Sequence, residues 1–152
     1  MPRKIDLRFP VFGTEIPADH GFRLFSAISG IVPEIHDDEG IGIHSINGTL
    51  SGNRCLTLTR RSFLAIRLEV ERVRHLMRLA GKVLQIGRAR VGVGVPQAWA
   101  LAPAERLYSR LVVIKGFMKP DTFLEAARTQ LAELGVEGEV SLVAQPDAQA
   151  VN

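Results

Sequence analysis

The sequence predicts an α+β fold, with one complete β-α-β-β-α-β unit over roughly residues 4–96 and the start of a second unit behind it. Three observations carry this. Short runs that alternate apolar and polar residues flank two stretches of helical spacing. Turn signals rich in Gly, Asn and Pro separate them. The strand-like run Leu107–Phe117 and the helix-like run Asp121–Leu134 then repeat the opening order before one short final strand. At 152 residues and 46% hydrophobic, the chain can bury one substantial core or two small ones. The expected division is a first domain over 1–97, a linker over 98–105, a partial second domain over 106–143 and a disordered polar tail over 144–152.

Each element has a local reason. Ile5-Asp6-Leu7-Arg8-Phe9-Pro10-Val11 alternates as a half-buried strand does. Pro17 and Asp19 open a helix whose apolar side is Phe22, Leu24, Phe25, Ile28 and Ile31, and Gly30 with Pro33 closes it. Asp37-Asp38-Glu39-Gly40 is an acidic loop. Gly40–Ile46, followed by the turn pair Asn47-Gly48, is expected to pair as a hairpin with Cys55–Leu58. Ser62–Leu68 continues or follows that strand. Val70, Val73, Leu76, Met77 and Ala80 recur at helical spacing, with Gly81 at the C-cap and Arg72, Arg74, His75 and Arg78 on the outer face. Val83–Ile86 and Val91–Val95 close the first unit, and Gly92 and Gly94 share a face that another element can approach closely. Gln97–Glu105 reads as linker.

Charge is distributed unevenly. Residues 1–53 hold four Lys/Arg against seven Asp/Glu, residues 54–90 hold ten against two, and residues 91–152 hold five against seven. Fifteen of the nineteen cations are arginine, the side chain suited to bidentate phosphate contacts and to stacking on bases. That concentration points to a polyanion or an acidic protein surface, with a solvated basic face as the alternative. The N-terminus has no secretory pattern and no run reaches the length of a membrane span, so a cytoplasmic chain without membrane contact is expected. The single Cys55 excludes an internal disulfide and a multi-cysteine metal site.

Four histidines suit proton transfer near neutral pH. With Ile41 and Ile43 facing the core, His44 points to the other face beside Gly42, unhindered and just before a tight turn. It is a candidate general acid or base, or else an ordinary exposed strand histidine. His20 follows Asp19 at a helix N-terminus, where backbone N–H groups suit a phosphate, or it is a capping-turn residue. His36 and His75 read as solvated. No histidine pair has metal-ligand spacing, so no metal and no cofactor are expected. Lys115, at a strand end beside Gly116, can hold a phosphate or an oxyanion, or is simply solvated. Gly92-Val93-Gly94 lacks the third glycine and the helix of a nucleotide-binding fingerprint.

In order along the chain, Phe9-Pro10-Val11-Phe12-Gly13, Pro17-Ala18-Asp19-His20-Gly21-Phe22, Gly42-Ile43-His44-Ser45-Ile46 and Leu107–Phe117 resemble the CRISPR-associated endoribonucleases that process precursor crRNA. The likeness is to the Myxococcus-type branch of the sixth Cas family, within the RAMP superfamily, and it runs from about Ile5 to Leu142. It implies paired ferredoxin-like (RRM-like) domains that bind CRISPR repeat RNA and cut it without metal, leaving a 2′,3′-cyclic phosphate. It implies a first-domain histidine for proton transfer, His44 and then His20, with Lys115 as charge stabiliser. Arg54, Arg60, Arg61, Arg67, Arg72, Arg74, Arg78 and Arg110 would hold the RNA backbone, making binding salt-dependent. The family's glycine-rich loop, expected late in the second domain, does not occur in these residues. The resemblance is therefore to a form shortened at the C-terminus, whose exposed sheet edge favours a second copy or a completing polypeptide. Two other functions fit the same residues: a catalytically inactive crRNA-binding subunit docked to other CRISPR effector subunits, and a ferredoxin-like regulatory domain.

Overall fold

The structure is a computed structural model that describes residues 3–109 and 112–143. The chain divides into two units, Met1–Pro103 and Ala104–Asn152. The first unit contains β1 (Lys4–Phe12), β2 (Glu15–Pro17), α1 (Gly21–Ile31), β3 (Gly42–Ile43), β4 (Thr49–Gly52), β5 (Cys55–Thr57), β6 (Phe63–Glu69), α2 (Val73–Leu76), β7 (Val83–Ile86), β8 (Ala89–Val93) and β9 (Gln97–Ala100). The second contains α3 (Pro120–Glu133).

β1 organises the first unit. It pairs antiparallel with β6 from Lys4↔Glu69 to Pro10↔Phe63. On its other edge its first half pairs with β9 and its last two residues pair with β8. The main sheet runs β3-β6-β1-β8-β7, with β9 beside β1, while β2, β5 and β4 form a separate small sheet. Every neighbouring pair in both sheets is antiparallel, so the first unit is a mixed α+β fold built on antiparallel sheets, the class the alternating pattern predicts.

Strand alternation divides the main sheet into an inner and an outer face. Ile5, Leu7, Phe9 and Val11 of β1 and Leu64, Ile66 and Leu68 of β6 are buried with Leu24 and Ile28 of α1. Leu76, Leu79, Leu84, Ile86 and Val91 complete this core. Each such side chain contributes on the order of 1.5–3 kcal/mol by leaving water. Gly94 packs against Pro10, and a Cβ there would lie 2.8 Å from the Pro10 ring, which is the close approach its glycine allows.

Four expectations change. α1 starts at Gly21 with His20 as its N-cap, one residue later than Asp19 suggests. Gly40–Ile46 does not pair with Cys55–Leu58. Its strand portion, β3, pairs with β6, and the hairpin is β4–β5, turned by Asn53 and Arg54 at positive φ. Local turn signals mark where a chain reverses but do not choose the partner edge. The stretch Val70–Leu79 is broken, with 3-10 turns at Val70–Arg72 and Met77–Leu79 on either side of α2. The tighter last turn brings Leu79, three residues after Leu76, into the core beside it, while Val70 at the start of the stretch and Met77 are exposed. Finally, β9 occupies the start of the expected linker.

The second unit matches the sequence in its helix alone. Pro120 and Asp121 start α3, and Gly135 at φ 70° follows its end. No residue of α3 is fully buried. The run Leu107–Phe117 contains no strand among its described residues. It turns instead at Gly116 (φ 89°), where the Phe117 N–H donates to the Ile114 carbonyl at 3.1 Å. The short strand expected after the helix is likewise absent from residues 135–143. A strand forms only against a partner edge, and no described segment of this unit supplies one. The expected tail, 144–152, lies outside the described residues.

Candidate functional site

The outer face of the main sheet gathers the chemistry of the first unit. The β1–β6–β9 register sets Asp6 opposite Arg67 and Trp99, and Arg8 opposite Ala65 and Gln97. Gly42 of β3 faces Arg67 on the far side of β6. His44 continues this line, and its N–H donates to the Ala65 carbonyl at 2.9 Å.

The segment carrying His44 is tied down by its neighbours. The Ile46 N–H donates to His20 Nε2 at 2.9 Å. The Asn47 amide donates to the Arg61 carbonyl at 3.1 Å and accepts from the Phe63 N–H at 2.8 Å. Gly48 lies so close to β5 that a Cβ would stand 2.7 Å from the Thr57 carbonyl oxygen. Backbone and side-chain bonds together fix the loop while the His44 side chain itself remains exposed. Such an arrangement presents an imidazole in one place without consuming its nitrogens on the scaffold.

His20 is placed in the opposite way. It is 2% exposed, and both ring nitrogens are engaged. Nε2 accepts from Ile46, so Nδ1 carries the proton and donates to the Pro17 carbonyl at 2.8 Å, with the Ala18 carbonyl at 3.2 Å. The ring points inward from the start of α1 and joins it to the His44 segment.

Beside His44 stands a charged pair. Arg67 donates from Nε and Nη2 to the two Asp6 carboxylate oxygens at 2.8 and 3.0 Å. That hydrogen bonding, reinforced by the charges of Arg67, His44 and Arg8, holds the Asp6 carboxyl below its ordinary range against the opposing effect of burial. The same bond raises Arg67. Next in line, the Arg8 guanidinium lies over the Phe63 ring at 4.9 Å and the Trp99 ring at 4.3 Å.

The arginines separate into groups. Arg72 pairs with Asp38 and, at 3.5 Å, with Glu69, while Arg78 pairs with Glu34. Arg74 donates to the His75 ring, which stands 3.9 Å from Glu34. Glu34 is correspondingly lowered by its bond to Arg78. Arg54 sits in the β4–β5 turn, and Arg60 and Arg61 in the turn before β6, exposed and without a carboxylate partner among the described residues. Lys115 is exposed in the turn of the second unit, and Arg110 lies outside the described residues. His36 rests against Phe25, ring centroids 5.9 Å apart.

An open cavity of about 580 Å³ is lined by Leu24, Phe25, Asp37, Asp38, Glu39 and Ser45, among others. Its acidic wall suits a polyanion poorly. Among the described residues no group of three or more His, Cys, Asp or Glu is placed to hold a metal ion, and no helix is long and apolar enough to cross a membrane.

Asp6, Arg8, Asn47, Phe63 and Trp99 were not singled out from sequence. The alternation of Ile5–Val11 already sends Asp6 and Arg8 outward, so a signal for those two exists. Trp99 carries no such signal, because the alanines and proline around it have the composition of a linker although they hold a strand.

The fold and this face define an α+β protein whose open sheet displays an imidazole, fixed guanidinium groups and aromatic rings. The family model described as Cas6 Crispr matches residues 5–151, and the chain belongs to that family. It is 37% identical over 133 residues to the CRISPR-associated endonuclease Cas6 of Myxococcus xanthus (strain DK1622), an alignment covering 88% of this chain and 57% of that protein. The chain thus spans a little over half the length of that relative.

Proposed function

We propose that this chain binds CRISPR repeat RNA and cuts it at one place to process precursor crRNA. The observation that carries the reading is His44, exposed on a firmly tied segment at the edge of a cationic sheet face in a chain of the Cas6 family. His44 takes the proton from the ribose 2′-OH as that oxygen attacks the adjacent phosphorus. The bond to the 5′-oxygen then breaks, the leaving oxygen takes a proton from solvent water, and the products are a 2′,3′-cyclic phosphate and a 5′-OH. The step needs no metal ion. Arg60 and Arg61 hold the RNA backbone, and Lys115 is a further cation for phosphate charge. His20 acts through the segment it anchors, as a positioning residue.

In this reading residues 1–97 form a ferredoxin-like domain and 106–143 part of a second one. The protein works in the cytoplasm, as a homodimer or with a completing polypeptide at its exposed sheet edge, or with other CRISPR effector subunits. Incubating it with the cognate repeat RNA in EDTA tests the proposal. One defined cut with a cyclic-phosphate end, and affinity that falls with salt, is the expected result. Neither cleavage nor salt-sensitive binding would overturn it. Repeat binding that survives His44→Ala, with no product at any protein concentration, would assign the inactive crRNA-binding role instead.

A further inference from the structure

The Arg8 stack calls for an explanation beyond packing. Its guanidinium lies over both Phe63 and Trp99, contributed by the strands on either side of β1. Asp6, the nearest carboxylate in the register, is committed to Arg67. Among the described residues Arg8 forms no ion pair, and its Nε is buried without a hydrogen-bond partner. A donor left this way is costly, so an apolar side chain at position 8 would join β6 to β9 more favourably. The arrangement keeps a planar cation fixed between two rings, with no ion pair of its own among the described residues. Trp99, at the sheet edge, remains 47% exposed. Arg8 and His44 lie on strands separated by β6, about 10 Å apart at two strand spacings.

We propose that Arg8, Phe63 and Trp99 form a base-stacking subsite for one nucleotide of single-stranded RNA. The base lies on the exposed Trp99 ring and Arg8 faces the adjoining phosphate. Stacking tolerates any base, because every base has a π-face, and the nearby cation complements the backbone charge. The subsite holds a nucleotide close to the bond that His44 addresses, fixing where the strand lies rather than reacting with it. This inference rests on the repeat-RNA reading above.

Trp99 is the only tryptophan of the chain, so its emission reports this site alone. The test titrates the full chain with unlabelled cognate repeat RNA while following that emission, with inorganic polyphosphate as a charge-only control. Fluorescence anisotropy of end-labelled repeat RNA measures binding separately. RNA is expected to quench Trp99 strongly and polyphosphate to leave it nearly unchanged. Trp99→Ala should weaken RNA binding about 5- to 100-fold, the loss of one base–aromatic stack, without altering the salt slope. Trp99→Phe should retain most of the affinity, and its thermal melt separates lost stacking from lost folding. Binding seen by anisotropy with unchanged Trp99 emission and wild-type affinity in Trp99→Ala would overturn the subsite while leaving the proposed function intact. No binding by either measurement would overturn both.

Discussion

Two surfaces of the first unit carry a histidine among arginines, and they are built to opposite ends. Around α2, Arg72 and Arg78 face Asp38 and Glu34, and His75 sits between Arg74 and Glu34. On the outer sheet face and its adjoining turn, His44 has an exposed ring, Arg8 is held by aromatic rings and Arg60 and Arg61 have no carboxylate partner among the described residues. In sequence, Arg60 and Arg61 share one basic stretch with the α2 arginines. Folding brings Asp38 of the acidic loop to Arg72 and Glu34 of the turn before it to Arg78, and leaves the other set available. Local charge therefore overstates what a polyanion meets, and intramolecular pairing decides which cations remain.

The largest expected contrast is between the two histidines. His44→Ala should lower the cleavage rate about 10²- to 10⁴-fold, the usual contribution of a general acid or base, with repeat binding largely preserved. His75→Ala should leave the rate within twofold. Single-turnover cleavage under saturating protein measures both, and equal losses would break the comparison.

A smaller effect belongs to His20, which links α1 to the segment that carries His44. His20→Ala leaves the Ile46 N–H without its buried partner and opens a space, at about 1–3 kcal/mol of stability. For a unit of this size that lowers the melting temperature by roughly 4–8 °C per kcal/mol. Activity measured well below the transition should fall in kcat more than in KM, because His44 is displaced while the RNA contacts stay. An unchanged melt and unchanged kcat would remove His20 from any role at the site.

The arginine groups differ next. Replacing Arg60 and Arg61 together by Ala should reduce the salt slope of binding by about 1.4, at about 0.7 per phosphate contact on a single strand. Arg72→Ala with Arg78→Ala should leave that slope unchanged and cost at most about 1 kcal/mol per exposed pair. Salt-dependent anisotropy titrations distinguish them.

The smallest expected effect concerns the Asp6–Arg67 pair. Its folded carboxyl is lowered, so its stabilisation is present above the ordinary aspartate value near 3.8 and fades as pH falls through the lower folded value. At neutral pH Asp6→Asn should lose roughly 1 kcal/mol or less, Arg67 being half exposed. Below the lowered folded value the variant and the parent should converge. Denaturant melts across pH 2–7 follow this.

Much of the first unit is legible from sequence because its signals are local. The alternation of Ile5–Val11, the start and stop signals of α1, Gly81 at positive φ and the small Gly94 against Pro10 each express a constraint within a few residues. The site is less legible because it is assembled across strands. That β3 chooses β6, that β9 returns to β1 and brings Trp99 to Arg8, and that Asp38 reaches Arg72 are matters of long-range pairing. His44 could be noticed from its neighbours Gly42 and Ile43. The inward turn of His20 could not, because its Nε2 partner Ile46 is 26 residues away.

Gly48 gives this arrangement a remote adjustment. The position touches no reacting group, yet even a methyl there would press on the Thr57 carbonyl and wedge the tied loop away from β5. Because Asn47 and Ile46 share that loop with His44, the displacement would travel along the chain to the imidazole as a change of aim. Under the proposed function, a substitution at this single backbone contact would retune where the strand is cut while leaving the grip on it untouched.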